Sequence, residues 1–143
     1  MVERELAVSA GGWYSATALD ATNLAIYGSP KPDVTLPQLE QAIDAVIDDI
    51  IAKGVTADEV ERAKTRLIAD AIYAHDSQAT MARWYGSALT SGMTVEMVQS
   101  WPDRIRAVTA EAVHAAAKAW LDKRRSATGY LIKGPTQPEE KRS

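Results

Sequence analysis

Apolar residues recur along the chain with two different periods, and the change from one to the other separates a strand-like opening from a helical remainder. Leu6, Val8 and Ala10 alternate with Ala7 and Ser9 before Gly11-Gly12 intervenes and Trp13-Tyr14 follows, a pattern that predicts a strand bulged or bent at the glycines. Asn23 to Tyr27, with Leu24 and Ile26 on one face, predicts a second short strand, and the small, polar residues from Ser15 to Thr22 suit a loose hairpin between them. An antiparallel pair is the economical arrangement. The run Gly28-Ser29-Pro30-Lys31-Pro32-Asp33 is expected to end it, because proline brings no N–H to a ladder.

From Thr35 onward the period is helical. Thr35 and Gln38 make a capping box with Pro37 in the first turn, and Leu39, Ala42, Ile43, Val46, Ile47, Ile50 and Ile51 form one continuous apolar stripe, which predicts a helix closed at Gly54 by a left-handed residue. A second helix starts at once, as Thr56 and Glu59 can satisfy each other's free backbone donors. Behind that start Val60, Ala63, Leu67 and Ala71 recur, with Ile68 and Ile72 alongside, while Glu61, Arg62, Thr65 and Arg66 fall on the wet side. Two such helices in succession are expected to lie side by side in one layer. The second is expected to reach about Leu89, kinked near His75-Asp76-Ser77, and to stop at Ser91-Gly92. Thr94 opens a short helix through Val95, Met97 and Val98, Pro102 forces a restart near Trp101, and Thr109 caps Ala110 to Leu121. In that last helix Val113, Ala116, Ala117, Trp120 and Leu121 make a narrow packing face, and Lys123-Arg124-Arg125 reads as a cationic helix end. Ala127 to Ile132 predicts a closing strand before Gly134-Pro135. The pattern is therefore that of an α+β fold: an antiparallel sheet of about three strands with helices packed on one face.

Composition narrows the possibilities further. The 143 residues are 46% hydrophobic, enough for one domain without disulfides or metal. A net charge of -3 with mixed signs offers no basic field for nucleic acid or an anionic membrane surface. The absence of cysteine removes thiol catalysis and thiolate metal sites and fits a cytoplasmic or a periplasmic life equally. No apolar run is long enough to span a bilayer. Met1-Val2-Glu3-Arg4-Glu5-Leu6 reads like the tail of a helix with no entry cap, so a preceding segment is expected. Thr136 to Ser143 is polar and expected to be disordered.

Candidate chemistry is sparse. The two histidines, His75 and His114, are thirty-nine residues apart and neither has a second ligand at i+3 or i+4, so neither H-x-x-E-H nor H-E-x-x-H is present to offer two imidazoles and a carboxylate to zinc. A surface or helix-edge role is expected for both. Gly11-Gly12 lacks the remaining residues of a phosphate loop, the serines have no nucleophile elbow, and Asp48-Asp49 and Glu59/Glu61 fall on solvent faces. No catalytic, cofactor-binding or metal-binding residue is assigned. Val55 to Val60 and Val108 to Val113 look alike, but shared helix-start chemistry accounts for the likeness without duplication.

Taken together, Leu6-Ala7-Val8-Ser9-Ala10, the helix start from Gly54-Val55-Thr56 to Glu61-Arg62-Ala63-Lys64, the Trp101-Pro102 break, Ala107-Val108-Thr109-Ala110-Glu111-Ala112-Val113 and Thr128-Gly129-Tyr130-Leu131 resemble the insulinase-type zinc peptidases, the group of pitrilysin and the processing peptidases. The resemblance runs from Leu6 to about Pro135 and is to the latter part of the C-terminal unit of such a protein. It implies a partial C-terminal peptidase domain over residues 1–135, an incomplete insulinase-like α/β unit that lacks its opening strands and helix, with 136–143 as a tail.

It also implies zinc in the upstream domain of the parent protein, where a metal-bound water and a motif Glu carry out proteolysis. Many relatives hold the substrate backbone with an Arg and, seven residues on, a Tyr. Those positions fall here on Met1 and Val8, so neither role is carried over. The expected function is that of a non-catalytic chamber wall, enclosing peptide substrate and contacting a zinc-bearing domain or partner subunit, with self-association through an unpaired sheet edge as a further expectation. The alternatives are a structural subunit of the same fold without peptidase activity, and a generic α+β binding domain with a complete sheet. The resemblance implies a periplasmic rather than a cytoplasmic compartment.

Overall fold

Strand β1 (Ala7–Tyr14) pairs antiparallel with strand β2 (Leu24–Pro30), from Tyr14 opposite Leu24 to Ala7 opposite Pro30. The computed structural model describes residues 6–132; the helix tail expected before Leu6 and the tail expected after Pro135 lie outside them. The bulge is at Val8, between Ala7 and Ser9, and not at the glycines, because Gly11 and Gly12 stay in register opposite Tyr27 and Ile26. β2 also runs further than expected. Pro30 takes the last position of the strand, where its missing N–H costs no interior ladder bond, and the Lys31 N–H continues to the Leu6 carbonyl at 3.2 Å.

Among the described residues the sheet has two strands, not three. Ala127 to Ile132 has the alternation of a strand, but no neighbouring strand adjoins it and it forms no ladder. Propensity without a partner is insufficient for strand formation.

Among the described residues six α-helices follow: α1 (Leu36–Lys53), α2 (Ala57–Ala74), α3 (Gln78–Thr90), α4 (Val95–Gln99), α5 (Trp101–Arg106) and α6 (Ala110–Trp120). All but α5 start at a hydroxyl cap, and Ser100 ahead of α5 makes no side-chain cap bond. Thr35 N–H donates to Gln38 Oε1 at 2.8 Å and Thr56 N–H to Glu59 Oε2 at 2.8 Å, each threonine hydroxyl accepting in return from the backbone N–H three residues on. Ser77, Thr94 and Thr109 cap α3, α4 and α6 in the same way. The expected kink at His75-Asp76-Ser77 is a complete break. Ser77, at φ -116° and ψ 108°, leaves the helical region and caps a new helix, while the N–H groups of 75–77 bond three residues back in a tightened final turn.

α1 lies between β2 and α6, α2 packs against α5, and α3 against α4. The closest partner of α1 is thus α6, and not α2 as the succession of helices suggested. Trp84 and Trp101 meet edge to face at 5.9 Å, which ties α3 to α5. On α2 Val60 and Ala71 are buried as expected, while Lys64 and Ile68, half-buried, lie between them where Ala63 and Leu67, both exposed, were expected. Leu67 and Ile72 remain exposed. The Lys64 stem covers apolar surface while its ammonium reaches Glu61 at 2.7 Å, with only 13% of the side chain accessible.

At the C-terminal end of α1, Gly54 has φ 79° and ψ -160°, a conformation open essentially only to glycine and distinct from the left-handed helical one expected. A Cβ there would stand 3.0 Å from His114 Cγ on α6. Gly54→Ala therefore combines backbone strain with a clash and is expected to lower folding stability by about 1–3 kcal/mol. Denaturant unfolding checks this: a variant as stable as the parent would show that the α1–α6 junction tolerates a side chain.

Candidate functional site

The residues singled out by sequence chemistry are far from forming a constellation. His114 Nε2 donates to the carbonyl oxygen of Ile51 at 2.9 Å, so this imidazole serves one of the unpaired carbonyls at the end of α1. His75, at the end of α2, faces the edge of Trp84 at 6.4 Å between ring centres. Asp49 pairs with Lys53 at 2.5 Å, Glu61 with Lys64, and Glu59 belongs to its capping box. Val8, where the family comparison places a substrate-holding tyrosine, sits at the β1 bulge with 66% of its surface exposed. Met1 lies outside the described residues.

What the fold does bring together is a polar cluster on α1. Glu40 and Asp44, one helical turn apart, face the segment after α6. Asp44 pairs with Lys123, and the Tyr130 hydroxyl donates to Glu40 Oε2. Nothing in the sequence pattern marks these partners, which are separated by 79 and 90 residues. The turn that delivers them is built locally. Asp122 accepts from the Arg124 N–H at 3.0 Å and binds its guanidinium at 2.8 Å, which holds the Asp122 carboxyl down at about 2. Arg125 donates to the Ala119 carbonyl at 2.8 Å and lies 5.7 Å over the Trp120 ring. The cationic helix end expected at 123–125 is thus present as a 3-10 turn. Trp120, expected on the packing face of α6, is instead 72% exposed beneath that arginine.

Two apolar surfaces complete the description. An open groove of about 380 Å³ runs between α2 and α5, lined by Lys64, Ile68, Ile72 and Arg106 among others. Val8, Trp13, Tyr14, Leu24, Ile26 and Tyr27 leave the hairpin largely uncovered. Among the described residues no helix is long and apolar enough to cross a membrane.

Residues 2–67 match the family model described as the peptidase M16 inactive domain. Over these residues the chain is similar to that family. No curated protein matches the chain, but solved structures do. A structure from Bordetella parapertussis, described as the inactive peptidase domain of a zinc protease, aligns with TM-score 0.79 and 21% identity over 98% of this chain and 74% of its own. A zinc protease structure from Bordetella pertussis gives TM-score 0.76 and 21% identity over 93% and 73%. A protease from Helicobacter pylori gives TM-score 0.73 and 15% identity over 84% of this chain and 28% of that one. The M16-type C-terminal assignment and its α+β fold, both anticipated from motif order, therefore stand.

Zinc, which the resemblance puts in another domain, does not fit the donors present here. Among the described residues no three His, Cys, Asp or Glu side chains are gathered so as to hold a metal ion.

The α1 cluster makes the C-terminal segment sensitive to pH at two ends. The Tyr130 hydroxyl, with Thr128 second, holds the Glu40 carboxyl below its ordinary value of 4.5. This contribution is complete above that value and is lost as pH falls through the depressed one. The Asp44 hydrogen bond holds the Lys123 ammonium above 10.5, and the Glu40 hydrogen bond holds the Tyr130 phenol above 10.0. These contributions are complete below those values and are lost as pH rises through the raised ones. NMR shifts of residues 127–132 are expected to stay flat between the two ranges and to move at both ends, with the acid transition absent in Glu40→Ala. Shifts that ignore both ends would show that the cluster does not hold the segment.

Proposed function

We propose that this chain is a non-catalytic chamber-wall part of an insulinase-type zinc metallopeptidase, enclosing peptide substrate and contacting the domain or subunit that bears the zinc. The observation that carries the reading is how the chain uses its two imidazoles. In an M16-type fold whose partner supplies the chemistry, His114 closes a helix end and His75 packs on an indole. The exposed apolar side chains of the hairpin, Tyr14, Leu24 and Ile26 on one face and Trp13 and Tyr27 on the other, support the contact role. Hydrolysis, with zinc as its cofactor, belongs in this reading to the partner domain, and this chain's share is to shape and close the space around the peptide.

The test is direct. The purified chain, titrated with zinc in a calorimeter and incubated with a mixed peptide library, is expected to take up no stoichiometric metal and to cleave nothing. Chelator-sensitive cleavage would overturn the reading. Co-expression with a zinc-bearing domain of the same family is expected to yield a complex that co-elutes, and loss of that complex on Ile26→Lys would assign the hairpin face to it.

A further inference from the structure

Packing divides the chain into two groups of elements. In the first, α1 packs against β2 and α6, and the segment after α6 is fastened to α1 through Lys123 and Tyr130. In the second, α2 packs on α5, and α4 on α3 and α5, while Trp84 of α3 meets Trp101 of α5 edge to face. Among the described residues no two elements from different groups touch as extensively as these pairs do. Long-range side-chain hydrogen bonds follow the same division. His114 to Ile51, Lys123 to Asp44 and Tyr130 to Glu40 all lie inside the first group. Thr17, in the connection between β1 and β2, meets Ser87 on α3 hydroxyl to hydroxyl at 3.3 Å, and so joins the two.

The chain passes between the groups twice, at Gly54-Val55-Thr56 and at Ala107-Val108-Thr109. Among the described residues no backbone hydrogen bond spans either passage. The Gly54 N–H closes on Ile50 of α1 and the Thr56 N–H on Glu59 of α2. The Ala107 and Val108 N–H groups turn back to Asp103 and Ile105 of α5, while the Thr109 hydroxyl caps α6 by accepting from the Ala112 N–H. Each of these bonds belongs to one helix alone, so the backbone between can rotate without breaking a helical turn. The passages also stand close together, because the His114 ring, five residues past Thr109, lies against Gly54 and holds the Ile51 carbonyl. Two neighbouring passages without bridging bonds define one axis, and a hinge consists of a few element-terminal residues that absorb a change in φ and ψ. We propose that α2 to α5 swing as one body on the hinge formed by 54–56 and 107–109, with the Thr17–Ser87 contact as the clasp that holds the body closed. Water competes for both hydroxyls of an exposed pair, so closed and open forms are both populated. The proposal does not depend on the peptidase reading, which concerns what the chain meets and not how it moves.

Because the chain has no cysteine, pairs of spin labels can be placed on it without a competing thiol. Ala45→Cys on α1 with Ala82→Cys on α3 spans the hinge, whereas Ala45→Cys with Lys118→Cys on α6 lies inside the first group and Ala63→Cys on α2 with Ala82→Cys inside the second. All four positions are exposed. Pulsed dipolar EPR of the full chain is expected to give two separations for the spanning pair and one narrow separation for each of the others. Thr17→Ala is expected to shift the ratio of the two spanning populations by about 2- to 5-fold, the range that losing one exposed hydrogen bond gives. Circular dichroism and both inner pairs are expected to stay unchanged in that variant. A spanning pair as narrow as the inner ones, an equally broad α2–α3 pair, or populations that ignore Thr17→Ala would overturn the proposal. None of these results bears on zinc uptake or peptide cleavage, so the two readings fail separately.

Discussion

Helix α1 is held at both ends by contacts that exist only because a side chain is missing opposite them. At its start Leu39, nearly fully buried, presses so close to β2 that a Cβ on Gly28 would stand 3.1 Å from Leu39 Cδ2. At its finish Gly54 leaves room for the His114 ring, and His114 in turn takes up the Ile51 carbonyl. These two close approaches tie the sheet to α1 and α1 to α6. The segment carrying Lys123 and Tyr130 then returns to the outer face of the same helix, so α1 is the element through which hairpin, final helix and C-terminal segment communicate.

The interior built on that frame is thin. The buried apolar side chains among the described residues are Ala7, Leu39, Val60, Ala71, Ala88, Val98 and Ala117, and four of these are alanine, which brings little area. Burial of a larger aliphatic side chain contributes about 1.5–3 kcal/mol, and only Leu39, Val60 and Val98 provide it in full. Meanwhile the stripe of α1 from Ala42 to Ile51 is half-covered, and the hairpin aromatics remain in water. The stripes are those of a larger packed unit, and the relatives of similar fold are longer than this chain, which spans about three quarters of the two Bordetella structures.

Where the sequence was legible, local chemistry decided the outcome. Helices α1, α2, α3, α4 and α6 each have their start fixed by a Thr or Ser hydroxyl and one backbone N–H, and Pro102 marks the start of α5. These interactions span three residues and need no tertiary context. The misreadings share the opposite property. The bulge at Val8 rather than at the glycines depends on what lies across the ladder. The rotation of the α2 face toward Lys64 depends on α5, against which the lysine stem is more useful than the small Ala63. The missing third strand depends on a neighbour, and the α1 cluster on residues that only the complete fold brings within reach.

The electrostatics point the same way. Catalytic sites keep polar groups preorganised and aimed at a reacting atom, with ionisation perturbed by burial and by uncompensated neighbours. Here the perturbed carboxylates are exposed and answered by adjacent groups. Glu59 is lowered by the Thr56 backbone and hydroxyl, Glu96 and Glu111 by their own N–H groups and then by the Thr94 and Thr109 hydroxyls, and Asp122 by Arg124. Among the described residues no buried side-chain nitrogen or oxygen lacks a partner. Polar groups satisfied by their own helix ends are not free to stabilise charge on a substrate. The perturbations that cross the fold, at Glu40, Lys123 and Tyr130, fasten one segment to one helix. Charges directed to caps and fastenings, beside apolar side chains left open, support the proposed reading of a contact-making part.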